Sequence, residues 1–99
     1  MKLFVYGTLR RGGAAHHLLH NARFLGARAL EGFVVRDLGA YPGIVPRAGA
    51  RAEGELWEIE AAALPGIDAW EDHPHLFVRT PVVLDDGTEA EAYVWGAGR

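Results

Sequence analysis

The sequence lacks the side chains that enzymes use most often for covalent chemistry. It contains no cysteine and no serine among its 99 residues, and its only lysine is Lys2. Disulfides, thiolate zinc sites and cysteine or serine nucleophiles are therefore excluded, and a Schiff base has one candidate near the N-terminus. The simplest catalysis left is proton transfer on a substrate that carries its own nucleophile.

Long apolar runs and an excess of basic charge are also missing. No stretch approaches the roughly 18 apolar residues that a membrane helix needs. The net charge is −3, and the basic residues form no continuous stripe, so we expect neither a membrane nor a nucleic-acid partner. Glycines and histidines follow Arg10-Arg11 where an export signal would need apolar residues, which predicts a cytoplasmic protein.

What the chain does contain is typical of one folded domain. Its hydrophobic fraction is 49%, and it has three tryptophans, as expected for a buried core rather than disorder. A chain of 99 residues is long enough for one core and too short for two of ordinary size. We predict a single domain over residues 1–99, and its composition leaves the oligomeric state open.

The N-terminal stretch predicts a strand that runs into a tight turn. Lys2 to Tyr6 is rich in aromatic and β-branched residues, and Gly7-Thr8 ends it. Because Gly7 has no side chain, the amides that follow it can face a small anion at close range. The turn is thus a candidate binding element.

A short helix is predicted over residues 14–22. His16 and His20 lie one turn apart there, which a metal site could use. A solvated helix face is the better interpretation, because no third histidine or carboxylate stands at a supporting spacing. We assign no metal site.

The middle of the chain predicts strands separated by turns. Residues 23–38 indicate a pair of strands, and residues 52–59 alternate as a further strand. Between them, residues 39–46 hold two prolines and two glycines, which argue against a long regular element. This stretch fits a shaped loop packed over the core and an ordinary turn equally well, and residues 47–51 indicate a second turn.

The second predicted helix carries a candidate catalyst. It covers residues 61–72 and stops before Pro74. At 3.6 residues per turn, Leu64, Ile67 and Glu71 share the apolar face. Lost hydration and the negative end of the helix dipole would both raise the pKa of Glu71, as a general acid/base requires. The alternative is a rotated helix that leaves Glu71 exposed near its C-terminus.

The last third of the chain predicts a β-hairpin. Strands are expected over residues 76–84 and 89–95, and Pro81 marks the first as an edge or bulged strand. Asp85-Asp86-Gly87 has the chemistry of a hairpin turn. Residues 96–99 are expected to fray.

Several separated stretches, weak one by one, are specific in their order and spacing. They are Tyr6-Gly7-Thr8-Leu9-Arg10, Tyr41-Pro42-Gly43, Gly54 to Ile59, Ile67 to Glu71, Arg79, and Ala92-Tyr93-Val94. Together they span nearly the whole chain and resemble the γ-glutamylcyclotransferase-like family, especially its short members that are similar to γ-glutamylamine cyclotransferase.

The resemblance implies an α+β fold, a small mixed β-barrel flanked by short helices, with a ligand cavity at the barrel mouth. It implies that Glu71 is the acid–base catalyst and that a turn binds the α-amino-acid end of the substrate. The residues expected to contact the substrate are Tyr6, Gly7, Thr8, Leu9, Tyr41 and Tyr93. The chain departs from the family pattern at Asp72, where glycine is usual, and at Phe77, where tyrosine is common.

The implied reaction suits a chain without serine or cysteine. In a γ-glutamyl compound the substrate's own α-amine attacks its γ-carbonyl, closes the lactam 5-oxoproline and expels an amine or amino acid. Glu71 would move the protons, and the turn's amides would hold the α-carboxylate. No cofactor is implied. The alternative is a non-catalytic relative of the same fold that binds a small ligand or a protein partner.

Overall fold

Five β-strands and short helical segments make up residues 1–96, the part of the chain that the computed structural model describes. In chain order these elements are β1 (Lys2–Val5), a 3₁₀ turn (His16–Leu19), β2 (Arg23–Asp37), β3 (Pro42–Glu58), a second 3₁₀ turn (Ala61–Ala63), α1 (Leu64–Trp70), β4 (Phe77–Val83) and β5 (Glu89–Trp95).

The strands form one mixed sheet in the order β2-β3-β1-β5-β4. β1 is antiparallel to β3 and parallel to β5, and one further parallel pairing joins Ile44 of β3 to Val94 of β5. The α+β class and the mixed sheet are therefore confirmed. Closure into a barrel is not detected within residues 1–96, where β2 and β4 form the two edges of the sheet.

β1 is the central strand and separates two halves of the core. Leu3 and Val5 pack into one apolar cluster, which also receives Ile67 of α1. Phe4 and Tyr6 pack into the other. A strand that is buried on both faces is apolar at successive positions rather than alternating, and this explains its composition. The chain leaves β1 between the two clusters, which fixes the position of the turn that follows.

The prediction of two strands over residues 23–38 is wrong, because one strand, β2, runs through this range. Gly26 and Gly32 have positive φ angles of 128° and 84°, and the pairing with β3 shifts register at both. Such glycines mark β-bulges. A bulge bends a strand without ending it. A glycine within an apolar stretch is the sequence signal both of a bulge and of a turn between two strands.

The loop predicted over residues 39–46 and the turn over 47–51 are also largely wrong, because β3 begins at Pro42 and continues to Glu58. Pro42 is the first residue of the strand, and Pro46 pairs with Phe33 beside the register shift. Proline is tolerated at a strand start and at a bulge because no ladder hydrogen bond needs its missing N–H there.

The helices are shorter than predicted, and the C-terminal hairpin is confirmed. Instead of the helix predicted over residues 14–22, only one 3₁₀ turn forms, at His16–Leu19. α1 ends at Trp70, with Glu71 as its C-cap. β4 is an edge strand, as Pro81 indicated. The expected fraying of residues 96–99 falls almost wholly outside the described residues. No helix within 1–96 is long and apolar enough to cross a membrane.

Candidate active site

A cavity of about 320 Å³ opens where the end of β1, the start of β3, the end of α1 and β5 meet. Its lining residues are Phe4, Val5, Tyr6, Gly7, Thr8, Leu9, Ala40, Tyr41, Pro42, Trp70, Glu71, Leu76, Phe77 and Tyr93. All seven predicted site residues are among them. The structure thus brings together side chains that are separated by up to 87 positions in sequence.

The turn after β1 is packed against the start of β3. A β-carbon placed on Gly7 would stand 2.8 Å from Cγ of Pro42, so a side chain at this position would push the two segments apart. The N–H of Arg10 donates to the carbonyl of Gly7 at 3.0 Å, and the N–H of Ala15 donates to the carbonyl of Thr8 at 3.0 Å. These bonds fix the turn from both ends.

The amides of Thr8 and Leu9 remain available for a ligand. Within residues 1–96, neither N–H donates to a backbone or side-chain acceptor, and both residues line the cavity. Leu9 is only 3% exposed, and a buried N–H without an acceptor is costly. Two adjacent amides of this kind can bind a carboxylate or another small anion.

Glu71 lies half-buried on the same cavity. It caps the C-terminus of α1, and its N–H donates to the carbonyl of Ile67 at 3.0 Å. The α1 helix turns Ile67 fully into the core, so Glu71, one turn later, follows it inward. Burial raises the pKa of the Glu71 carboxyl to about 7. The rotated helix, with Glu71 in solvent, is not the conformation found.

Two phenols flank this carboxyl. The hydroxyl of Tyr6 donates to the backbone carbonyl of Tyr93 at 2.6 Å, and this bond is buried. Burial, and secondly the charge of Glu71, raise the pKa of Tyr6. Burial, followed by the hydrogen bond to Asp68, raises the pKa of Tyr93. Both phenols therefore stay protonated at neutral pH, and each donates its proton within the protein, Tyr6 to the Tyr93 carbonyl and Tyr93 to the Asp68 carboxylate.

The sequence of the chain matches a known protein family. Residues 3–99 match the family described as "Gamma-glutamyl cyclotransferase, AIG2-like". The chain belongs to this family.

Two relatives agree with this membership, and a solved structure shares the fold. A γ-glutamylcyclotransferase family protein of Escherichia coli (strain K12) is 39% identical over 69 residues, which are 70% of this chain and 60% of that protein. γ-Glutamylaminecyclotransferase A of Danio rerio is 30% identical over 109 residues, covering 96% of this chain and 68% of that protein. An uncharacterized protein from Pyrococcus horikoshii superposes with a TM-score of 0.84 at 28% identity, over 98% of this chain and 79% of that one.

An ionic network behind the cavity was not predicted for this γ-glutamyl cyclotransferase family member. Asp68 in α1 accepts hydrogen bonds from the Tyr93 hydroxyl at 2.6 Å and from Nε of Arg79 at 3.1 Å. Arg79 also pairs with Glu91 of β5 at 3.1 Å. Arg79 and Asp68 both belong to the motif stretches of the sequence, but their pairing joins two different elements and has no local signal.

Trp70 is the second feature of the site that the sequence did not reveal. Its indole Nε1 donates to the hydroxyl of Thr8 at 3.3 Å, and the side chain lies at the edge of the cavity with the residue 52% exposed. The signal available in the sequence was its position directly before Glu71 in the stretch Ile67 to Glu71. The bond joins the turn after β1 directly to the helix that carries Glu71.

The two departures from the family pattern have different structural consequences. Asp72 has a φ angle of +50°, a left-handed conformation that glycine adopts without strain and that aspartate tolerates better than most residues. Phe77 is 3% exposed and lines the cavity, where its ring packs edge-on against Tyr41 at 5.8 Å. At this point the cavity wall has an apolar ring edge in place of a hydroxyl.

Proposed function

We propose that the chain is a γ-glutamyl cyclotransferase that releases 5-oxoproline from a γ-glutamyl amine, peptide or related metabolite. The observation that carries the proposal is one cavity lined by Glu71, whose half-buried carboxyl has a pKa of about 7, and by Thr8 and Leu9, whose N–H groups have no acceptor within residues 1–96. A substrate that supplies its own nucleophile is the simplest one for a chain with neither serine nor cysteine, and family membership supports the γ-glutamyl class.

Glu71 is the proposed general acid and base. The α-nitrogen of the substrate binds as an ammonium group and must lose a proton before its lone pair can attack the γ-carbonyl carbon. The new C–N bond closes the five-membered ring, and the ring nitrogen loses a second proton as it becomes the lactam N–H. The bond to the leaving nitrogen breaks, and that nitrogen gains two protons and departs as an ammonium group. A carboxyl with a pKa near 7 can accept the first proton and return it at the second step.

The turn after β1 is the proposed anchor for the substrate. The amides of Thr8 and Leu9 would bind the α-carboxylate, and Tyr6, Tyr41 and Tyr93 would form the walls around the γ-glutamyl chain. Holding the α-amine close to the γ-carbonyl is a large part of catalysis in an intramolecular reaction, because orientation replaces most of the entropic barrier. The binding contacts and the proton chemistry thus come from two different elements, the turn after β1 and the end of α1.

The experiment is 5-oxoproline release from a panel of γ-glutamyl amines, γ-glutamyl amino acids and γ-glutamyl peptides. Turnover of at least one compound is expected, and Glu71→Gln should reduce kcat by about a hundredfold or more because it removes the proton carrier. Glu89→Gln is the matched control, since Glu89 is exposed at the start of β5 and away from the cavity. It should keep native activity.

Two results would contradict the proposal: no turnover across the panel, or full activity in a folded Glu71→Gln variant. A rise in the melting temperature with γ-glutamyl ligands but no product would instead favour the alternative of a non-catalytic binding domain.

A further inference from the structure

Glu71 lies on a short segment, residues 68–73, and both ends of this segment are hydrogen-bonded to Arg79 of β4. Before Glu71, the carboxylate of Asp68 binds the guanidinium of Arg79 in β4, with Oδ1 3.1 Å from Nε and Oδ2 3.4 Å from Nη2. After it, Nδ1 of His73 accepts a hydrogen bond of 3.0 Å from the backbone N–H of Arg79. Glu71 stands between these two contacts.

The segment is also closed upon itself. The N–H of His73 donates to the backbone carbonyl of Asp68 at 2.9 Å, so the two contacts to Arg79 lie at the ends of one loop that contains Glu71. Arg79 also contacts Glu91 of β5 at 3.1 Å, through Nη1, a nitrogen that does not bind Asp68. The side chains of Arg79 and Asp68 are only 23% and 22% exposed, which makes this pair less screened than a surface ion pair.

We propose that Arg79 is a positioning residue for the cyclisation: it fixes the end of α1 that presents Glu71, and it balances the negative charge of Asp68. The role rests on the proposed function of Glu71 and goes beyond it, since Arg79 does not line the cavity. Asp68 and Glu71 are three residues apart, a spacing that makes side chains neighbours on one helix face. Burial is the main cause of the raised pKa of the Tyr93 hydroxyl, and the carboxylates of Asp68 and Glu71 raise it further, as expected if both lie near it.

The ionisable groups around Glu71 come from three directions. Tyr6 approaches from β1 and Tyr93 from β5, while Asp68 and His73 belong to the segment itself. The two phenols are uncharged at neutral pH because burial raises the pKa of each. Asp72, the exposed residue that follows Glu71, is a further carboxylate of the segment. Asp68 differs from it because Asp68 is paired with Arg79, so a single substitution can unbalance its charge.

Two substitutions should move the pKa of Glu71 in opposite directions. Arg79→Gln leaves the Asp68 carboxylate without its cation, and a nearby like charge should raise the pKa of Glu71 by roughly half a unit or more. Asp68→Asn leaves the Arg79 cation in excess and should lower it. Simple loosening of the segment would hydrate Glu71 and lower its pKa in both variants.

The measurement is a ¹³C NMR titration of the Glu71 side-chain carboxyl, recognised by the resonance that Glu71→Gln removes. Shifts of opposite sign in Arg79→Gln and Asp68→Asn support the proposal; shifts of the same sign, or none, overturn it. The titration needs no substrate. It therefore decides the role of Arg79 even if the panel of γ-glutamyl compounds shows no turnover and the proposed function fails.

Kinetics provide the second readout. With a γ-glutamyl compound that is turned over, Arg79→Gln should lower kcat about tenfold to a hundredfold with little change in KM, because a misplaced proton carrier affects the chemical step. The acid limb of the pH profile of kcat/KM should move to higher pH. Native kcat in this variant would overturn the proposal.

Glu91→Gln is the matched control, because it removes the outer partner of Arg79 and leaves the pairing with Asp68 intact. Its kcat should stay within about twofold of the native value, with an unchanged acid limb, and a loss as large as that of Arg79→Gln would count against the proposal. If Arg79→Gln does not fold, Arg79→Lys takes its place. Lysine keeps the charge without the two-pronged contact, so the acid limb should stay while kcat falls, and a native kcat would overturn the role.

Discussion

A half-buried carboxyl responds to pH in the opposite sense from an acidic residue in a salt bridge. Burial raises the pKa of Glu71 from its ordinary 4.5 to about 7, so the folded state holds this proton more tightly than the unfolded chain does. The stabilising contribution is complete below pH 4.5 and is lost as the pH rises through 7. The ionised form of Glu71, which the proposed chemistry uses as a base, is thus the form that destabilises the folded state.

Replacing Glu71 should consequently stabilise the folded protein at alkaline pH. Glutamine at position 71 cannot ionise. The free energy of unfolding of Glu71→Gln minus that of the native protein should therefore be about 2 kcal/mol larger at pH 8.5 than at pH 5. Urea unfolding at the two pH values measures the difference. Glu89→Gln should show no such change between them, and an equal pH dependence of the native chain and Glu71→Gln would contradict the buried position of Glu71.

At position 72, glycine should be more stabilising than alanine, the reverse of their order within a helix. The φ angle of +50° at Asp72 strains any residue with a β-carbon, so Asp72→Gly should stabilise the fold by about 0.5 kcal/mol, and Asp72→Ala should destabilise it by about 1 kcal/mol. Thermal unfolding of the two variants at one pH tests the order. Greater stability for the alanine variant would show that the left-handed conformation is not adopted in solution.

At the scale of elements, the turn after β1 and helix α1 are joined by one side-chain hydrogen bond. The indole of Trp70 reaches the hydroxyl of Thr8 at 3.3 Å, which links the proposed substrate anchor to the proposed proton carrier. Since Trp70 is 52% exposed, its loss should affect alignment more than stability.

A double-mutant cycle can measure this link. Trp70→Phe and Thr8→Val each remove the bond, and each should lower kcat/KM several-fold while the free energy of unfolding changes by less than about 1 kcal/mol. In the double variant the losses should not add, with a coupling of roughly 0.5 to 1 kcal/mol, because the second change removes a bond that is already absent. Fully additive losses would mean that the bond does not align the site.

The same scale shows why some elements could be predicted and others could not. The hairpin of β4 and β5 was predicted correctly because Asp85-Asp86-Gly87 is a local turn signal and both strands flank it directly. The first part of β3, residues 42–51, was predicted as a loop and a turn, because proline and glycine occur both in turns and in β-bulges. Only the partner strand β2, which pairs with both halves of β3, distinguishes the two.

For the whole molecule, the sequence by itself determined the chemistry that remains available and the family. The absence of serine and cysteine and the order of short motifs are properties of the chain alone, and the α+β class and mixed sheet followed from them through the resemblance. The site residues were also named from the sequence, and their roles in catalysis and binding stay predictions until turnover is measured.

Only the tertiary structure decided which residues surround Glu71. Its burial depends on α1 packing against the core through Ile67, and the contacts of Asp68 with Arg79 and Tyr93 cross from a helix to two strands. Periodicity can assign a residue to a face of its own helix, but not to the strand that the face meets. The physical reason is that these contacts join positions distant in sequence, so no local pattern encodes them.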